Sequence, residues 1–154
     1  MELNYDSMMK FIQDYFPDFV KYGQNPAEKH RLYDYFAEDF EFYPNYVGVE
    51  PVKGREIFLT QMSSHPSSRE EMEPEDIFID EKRKVAVTLL NARIVDSKTG
   101  EVLVKKKYCP CYYLGLDKND TIKINKIVFF WEQLAPGARD VLDVFMRDGK
   151  PQVG

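Results

Sequence analysis

Four side chains in this sequence combine useful chemistry with an isolated setting. Glu132 follows a solid apolar run, Ile127-Val128-Phe129-Phe130-Trp131. A carboxyl held out of water at a pocket edge has a raised pKa and can act as general acid or base. His65 sits in the polar stretch Ser64-His65-Pro66, and histidine is the side chain best suited to proton transfer near neutral pH. Tyr43 and Tyr112 are phenols, able to donate a hydrogen bond to a carbonyl or a developing enolate. Together they describe proton transfer on an oxygenated organic molecule, with His65 or Glu132 moving the proton and Tyr43 and Tyr112 polarising the substrate. Each has a plainer reading. Tyr112 could be a core tyrosine bonded to backbone, His65 an exposed loop residue, and Glu132 a solvent-facing strand end. Tyr43 and Tyr46 are either pocket walls or lid packing.

A second set would bind rather than react. Asn91 and Arg93 interrupt the apolar strand Val85-Ala86-Val87-Thr88-Leu89-Leu90 and share its parity with Val85, Val87 and Leu89. If that face is internal, Arg93 needs an anionic partner such as Glu132 or a substrate carboxylate. If it is external, Arg93 belongs to solvent or an interface. Tyr108 shares a strand face with Tyr112, Pro110, Leu114 and Leu116. Asp14 and Tyr15 are candidates from the first helix, and Trp131 walls either the pocket or an interface. His30, in a charged helix, is expected to be solvated.

The elements that must position these groups follow from periodicity. Met8, Phe11, Ile12, Tyr15, Phe16 and Phe19 recur at spacings of three and four, predicting a helix capped by Ser7 and kinked or broken at Pro17. Asn25-Pro26 opens a second helix over about 27–35. A short strand at 38–42 is followed by a loop rich in proline and tyrosine, 43–51. A third helix opens at Gly54, and 63–74 reads as polar loop. Strands are expected at 75–79, 84–96, 101–116 and 121–131, joined by polar turns, with a short C-terminal helix at 138–146. Helices followed by an antiparallel meander define an α+β domain. Strands this long must curl, so the sheet should form a cone around the N-terminal helices. One domain is expected over 1–154, with its core at about 7–147 and a tail at 148–154.

Composition narrows the partners. The net charge is −5, so the cationic footprint that nucleic acid demands is missing. Lys105-Lys106-Lys107 reads as a solvated strand edge. No apolar run approaches a membrane span, and no signal peptide is visible at the N-terminus. Cys109 and Cys111 read as free thiols in a reducing, cytoplasmic setting. Two histidines and two cysteines offer no thiolate or imidazole metal site, so neither metal nor cofactor is expected. With 10 Tyr and 11 Phe against 1 Trp, the chain is rich in phenol and phenyl rings. The last strand carries apolar residues on both faces: Ile127, Phe129 and Trp131 on one, and Ile124, Val128 and Phe130 on the other. The second face must then be covered, by the C-terminal helix or by a second copy in a homodimer.

Tyr35-Phe36-Ala37-Glu38-Asp39-Phe40-Glu41-Phe42, a proline-containing loop, and Gly54-Arg55-Glu56-Ile57-Phe58 together resemble the nuclear-transport-factor-2-like superfamily, in its SnoaL-like and ketosteroid-isomerase-like group. The strand-turn-strand at 78–87 and the closing strand at 124–132 resemble the same group. The resemblance implies a cystatin-like α+β barrel, a curved sheet packed on three helices and often dimeric. It also implies departures. Tyr43 stands where ketosteroid isomerases keep a general-base Asp, and Tyr112 where they keep an oxyanion-hole Asp. The histidine pair of scytalone dehydratases has no counterpart. The nearest likeness is to small fungal SnoaL-like isomerases and cyclases of terpenoid and polyketide intermediates. The expectation is therefore a cofactor-free isomerase, cyclase or dehydratase acting on a hydrophobic, oxygenated small molecule of polyketide, terpenoid or steroid-like kind. The alternative is a non-catalytic carrier or dimeric scaffold of the same fold. Nuclear transport ranks last.

Overall fold

A computed structural model describes residues 2–148; of the expected tail, all but Asp148 lies outside them. Helix α1 spans Tyr5–Asp18. Its cap is Asn4 rather than Ser7. The Asn4 side chain accepts from the Ser7 N–H at 2.9 Å, and the Ser7 hydroxyl accepts from the Asn4 N–H at 3.0 Å. This reciprocal box satisfies two otherwise orphaned donors. Pro17 does not break the helix. The chain runs through it and widens into a π turn at Phe19–Gly23, so the missing N–H is absorbed as a change of hydrogen-bond register. Met8, Ile12, Tyr15, Phe16 and Phe19 form the buried stripe. The expected second helix is a tighter 3-10 segment, Lys29–Tyr35.

Seven strands follow: β1 (Phe36–Tyr43), β2 (Val52–Lys53), β3 (Ser68–Asp80), β4 (Val85–Asp96), β5 (Val102–Tyr108), β6 (Cys111–Leu116) and β7 (Ile122–Val128). Helix α2 (Arg55–Met62) sits between β2 and β3, and α3 (Val141–Phe145) ends in a 3-10 turn at Met146–Asp148. Gly54 opens α2 with φ of 93°, a left-handed backbone that favours glycine, while its N–H bonds the Phe40 carbonyl.

The strands form one sheet, ordered β2-β1-β7-β6-β4-β3, with β5 continuing the β6 side of β4. All pairs are antiparallel except β1 with β7, which is parallel. The strand expected at 101–116 is divided at Cys109-Pro110, because Pro110 has no N–H to give a ladder. Its carbonyl accepts instead from the Thr88 N–H and hydroxyl, both at 3.1 Å. Register shifts interrupt the β3–β4, β4–β5, β6–β7 and β1–β7 pairings. Such bulges bend strands and increase twist, and the resulting α+β sheet is curved and unclosed, with the N-terminal helices on its concave side.

Two sequence expectations fail at these irregularities. The stretch 63–74 is not all loop: β3 begins at Ser68, and Ser68, Glu70 and Met72 alternate inward. In β7 the shift resets the alternation, so Ile122, Ile124 and Ile127 are all buried and Ile124 leaves the outer face. The outer face keeps a directly registered row across five strands: Phe78, Val87, Cys111, Val128 and Tyr43. Phe78 and Phe130 are 55% and 51% exposed. Cys109 and Cys111 are unpaired thiols.

Helix α3 closes the mouth of the cone rather than lying on that outer face. Val141 and Val144 enter the core, and the Phe145 ring stacks on His65 at 3.8 Å. Polar contacts fasten the segment. Asp148 accepts from the Ser67 N–H and hydroxyl, and Arg147 pairs with Asp96. Lys106 departs from the solvated lysine run. Its side chain is 2% exposed and reaches Asp140 at 2.8 Å, between the rings of Tyr46 and Trp131. Removing one partner of a buried ion pair leaves an uncompensated charge. Asp140→Ala should therefore cost about 3 kcal/mol in urea unfolding at pH 7, and adding Lys106→Met should recover most of it.

Candidate functional site

A cavity of about 80 Å³ lies inside the cone, beneath α3 and the 43–51 loop. Its lining is overwhelmingly apolar, with rings from Phe19, Phe42, Phe58 and Phe129. The polar exceptions are Tyr15, Tyr46, Gln61, His65, Glu70 and Tyr112. None of the lining side chains among the described residues is Lys or Arg.

Glu70 is the principal group. It is 7% exposed, and Tyr108 donates to its Oε2 at 2.5 Å. No other donor among the described residues reaches the carboxyl. Its backbone is fixed from the side that edge strand β3 leaves unpaired. The Gln24 amide donates to the Glu70 carbonyl and accepts from the Glu70 N–H, each at 2.6 Å. A residue just past α1 thus holds the carboxyl's main chain in place. Burial pushes the Glu70 pKa up to about 7, and the Tyr108 hydrogen bond pulls it down in part. Burial, together with this nearby carboxyl, holds the Tyr15, Tyr108 and Tyr112 hydroxyls well above the usual phenol range, so all three remain donors. Tyr15 and Tyr112 are edge-to-face neighbours at 5.7 Å, and among the described residues neither hydroxyl bonds another protein group.

His65 is buried and sits after α2. Its Nδ1 lies 3.1 Å from the Ser68 carbonyl. A carbonyl only accepts, so Nδ1 carries the proton and fixes the tautomer. Burial lowers the His65 pKa, outweighing its backbone hydrogen bonds, and the ring stays neutral at pH 7. Tyr46 and Trp131 form the mouth, packed edge-to-face at 5.1 Å, with the indole N–H donating to the Pro44 carbonyl. Burial and the Asp140 carboxylate raise the Tyr46 pKa.

The residues predicted from sequence therefore divide. His65, Tyr112, Tyr15, Tyr46 and Trp131 meet at the cavity, and Tyr108 stands one hydrogen bond behind it. Tyr43, Glu132, Asn91 and Arg93 do not line it. In β1 the inward positions belong to Phe36, Phe40 and Phe42, so Tyr43 turns away and donates to Glu41 at 2.6 Å. Glu132 accepts from the Lys107 N–H at 3.0 Å on the outer edge of β5. In β4 the inward set is Ala86, Thr88, Leu90, Ala92 and Ile94. Asn91 and Arg93 consequently project outward, where Arg93 pairs with Glu71 and Asn91 accepts from Lys107 at 3.1 Å. Asp14 is exposed and pairs with Lys10. Glu70 and Gln61 are the cavity residues that sequence reasoning missed. The inward alternation of Ser68, Glu70 and Met72 was the available signal for the first.

No family model and no curated protein matches the chain. Solved structures do. A putative SnoaL-like polyketide cyclase from Jannaschia sp. is 11% identical, with a TM-score of 0.64 over 86% of this chain and 89% of that one. An NTF2-like protein from Anabaena variabilis is 17% identical, with a TM-score of 0.64 over 87% and 96%. An LEH-like epoxide hydrolase from M. tuberculosis is 11% identical, with a TM-score of 0.57 over 82% and 84%. The chain shares its fold with these SnoaL-like and NTF2-like structures. Identities this low carry the fold and not the reaction.

The raised Glu70 pKa has a measurable consequence for stability. Between about pH 4.5, where an ordinary Glu ionises, and about 7, the unfolded chain loses its proton while the folded chain keeps it. Stability attributable to Glu70 is full below that window and falls as pH rises through it. Native protein should lose on the order of 3 kcal/mol relative to Glu70→Gln between pH 4.5 and 7.5. Paired urea titrations measure the difference, in which the His65 contribution cancels.

Proposed function

We propose that the protein is a cofactor-free enzyme that moves protons on a small, hydrophobic, oxygenated molecule, as an isomerase, cyclase or dehydratase. The observation that carries this reading is Glu70: a carboxyl buried in an aromatic cavity, held by one phenol and sharing that cavity with two more. A pKa near 7 gives both protonation states near neutral pH, as acid–base catalysis requires. In the isomerase form, the Glu70 carboxylate takes a proton from the carbon beside a carbonyl. Tyr112 or Tyr15 donates to the resulting enolate oxygen. The Glu70 carboxylic acid then returns the proton to a different carbon, and the enzyme is regenerated. His65, neutral and tautomer-fixed, walls the site. Glu70 thus takes the proton-carrying part that sequence alone gave to His65 or Glu132. The same fold occurs in the putative SnoaL-like polyketide cyclase and the LEH-like epoxide hydrolase, which supports the reading.

Cyclohexanone in D2O provides the test. The protein should accelerate deuterium incorporation beside the carbonyl, with a rate that rises with pH to a plateau above about 7. Glu70→Gln should reduce the rate about 100-fold or more. An unchanged rate in that variant rejects the proposal.

The outer row that includes Phe78, Val87 and Val128 belongs to the same proposal as a homodimer contact. It is apolar and lies on a sheet face that no other described element covers. Sedimentation should report a dimer at micromolar concentration, and Phe78→Lys should convert it to a folded monomer.

A further inference from the structure

Gln61 is a polar residue with no structural occupation. It lies on α2, is 4% exposed, and lines the cavity beside apolar Phe58 and Met62. Its Oε1 is fully occluded and meets no donor, and its Nε2 makes no hydrogen bond to any described residue. Buried amides are nearly always partnered, since an unpaired one costs stability. A leucine would pack the same helical position without that cost. With Oε1 occluded, the Nε2 donor is the part of the amide left to meet a ligand at this point of an otherwise greasy wall. Sequence reasoning had given the orienting part to Arg93 or Asn91, which stand on the outer face.

We propose that the Gln61 amide orients the polar end of the ligand, and that this end is a neutral hydroxyl or carbonyl rather than a carboxylate or phosphate. The inference deepens the proposed function and rests on the same cavity being the ligand site. Neutrality follows from the surroundings. No Lys or Arg among the described residues lines the cavity. The nearby Lys106 ammonium is committed to Asp140 at 2.8 Å, between Tyr46 and Trp131. An anionic ligand would meet the Glu70 carboxyl with no cation to offset it. A neutral amide discriminates by leaving its own buried atoms unpaired when the wrong ligand enters.

Trp131 is the single tryptophan and lines the cavity, so its fluorescence reports occupancy. Native protein and Gln61→Leu are titrated with cyclohexanol, cyclohexane and cyclohexanecarboxylate, and each is melted without ligand. Native protein should prefer cyclohexanol over cyclohexane by about tenfold, the worth of one good hydrogen bond, and bind the carboxylate weakest. Gln61→Leu should erase the alcohol preference, keep or improve cyclohexane binding, and unfold at or above the native temperature. That last result separates a ligand-facing amide from a structural one, whose loss lowers the melting temperature. An alcohol preference unchanged in Gln61→Leu overturns the inference, as does a carboxylate that binds as well as the alcohol. Failure of all three probes to bind overturns it together with the cavity reading. A Gln61-dependent preference, alongside deuterium exchange indifferent to Glu70→Gln, would instead leave this inference standing and remove the proposed reaction.

Discussion

The hydrogen bond from Tyr108 to Glu70 depends on curvature. Glu70 in β3 is registered with Ile94, and Tyr108 in β5 with Leu90, on opposite sides of β4. On a flat sheet the two positions would stand about 9–10 Å apart across the strands and about 13 Å apart along them. Side chains perpendicular to such a sheet would not meet. They touch at 2.5 Å because the bulged strands curl and tip their inward side chains toward one another. The same curl makes the cavity and forces α1 into the concavity. The carboxyl's environment is therefore a property of the whole sheet.

An apolar interior then magnifies the few polar groups it contains. With little water to screen them, the Glu70 carboxyl and its phenol neighbours act on one another more strongly than they would at the surface. Charge is kept on the rim and outer face instead. Arg147 with Asp96 and Ser67 with Asp148 tie α3 down from the wet side, and the buried Lys106–Asp140 pair ties down its start. Val141 and Phe145 present its dry side to the cavity. The mouth is thus held shut by polar contacts that lie outside the cavity lining.

Most of the architecture was legible because it follows from periodicity. The stripe through Met8, Ile12, Tyr15 and Phe16 places Tyr15 inside, and the alternation of Tyr108, Tyr112 and Leu114 places the phenols. What sequence hid has physical causes. Glu70 lies in a run of charges, Arg69 to Glu73, where hydropathy reads loop; only its two-residue spacing with Ser68 and Met72 marks it as inward. Asn91 and Arg93 were ambiguous because both faces of β4 carry apolar residues, and the small residues Ala86 and Ala92 decide which face is inner. Glu132 reads as a pocket carboxylate if β7 runs on to residue 131. The strand ends at Val128, and the chain turns aside to β5. Gln61 gave no signal, since a glutamine in a helix is ordinarily a surface residue.

The parallel pairing of β1 with β7 constrains how the molecule is assembled. Phe42 is registered with Ile127, so the early helices and first strand must wait for the last strand before their sheet has an inner neighbour. Closing so long a loop is an entropic barrier that local contacts cannot relieve, and chains dominated by such pairings fold slowly. The N-terminal helix can dock on β3 and β4, where Gln24 meets Glu70, but β1 gains its inner neighbour only from β7. The cavity is accordingly among the last features to be completed, since Ile127, Phe129, Trp131 and α3 supply much of its wall.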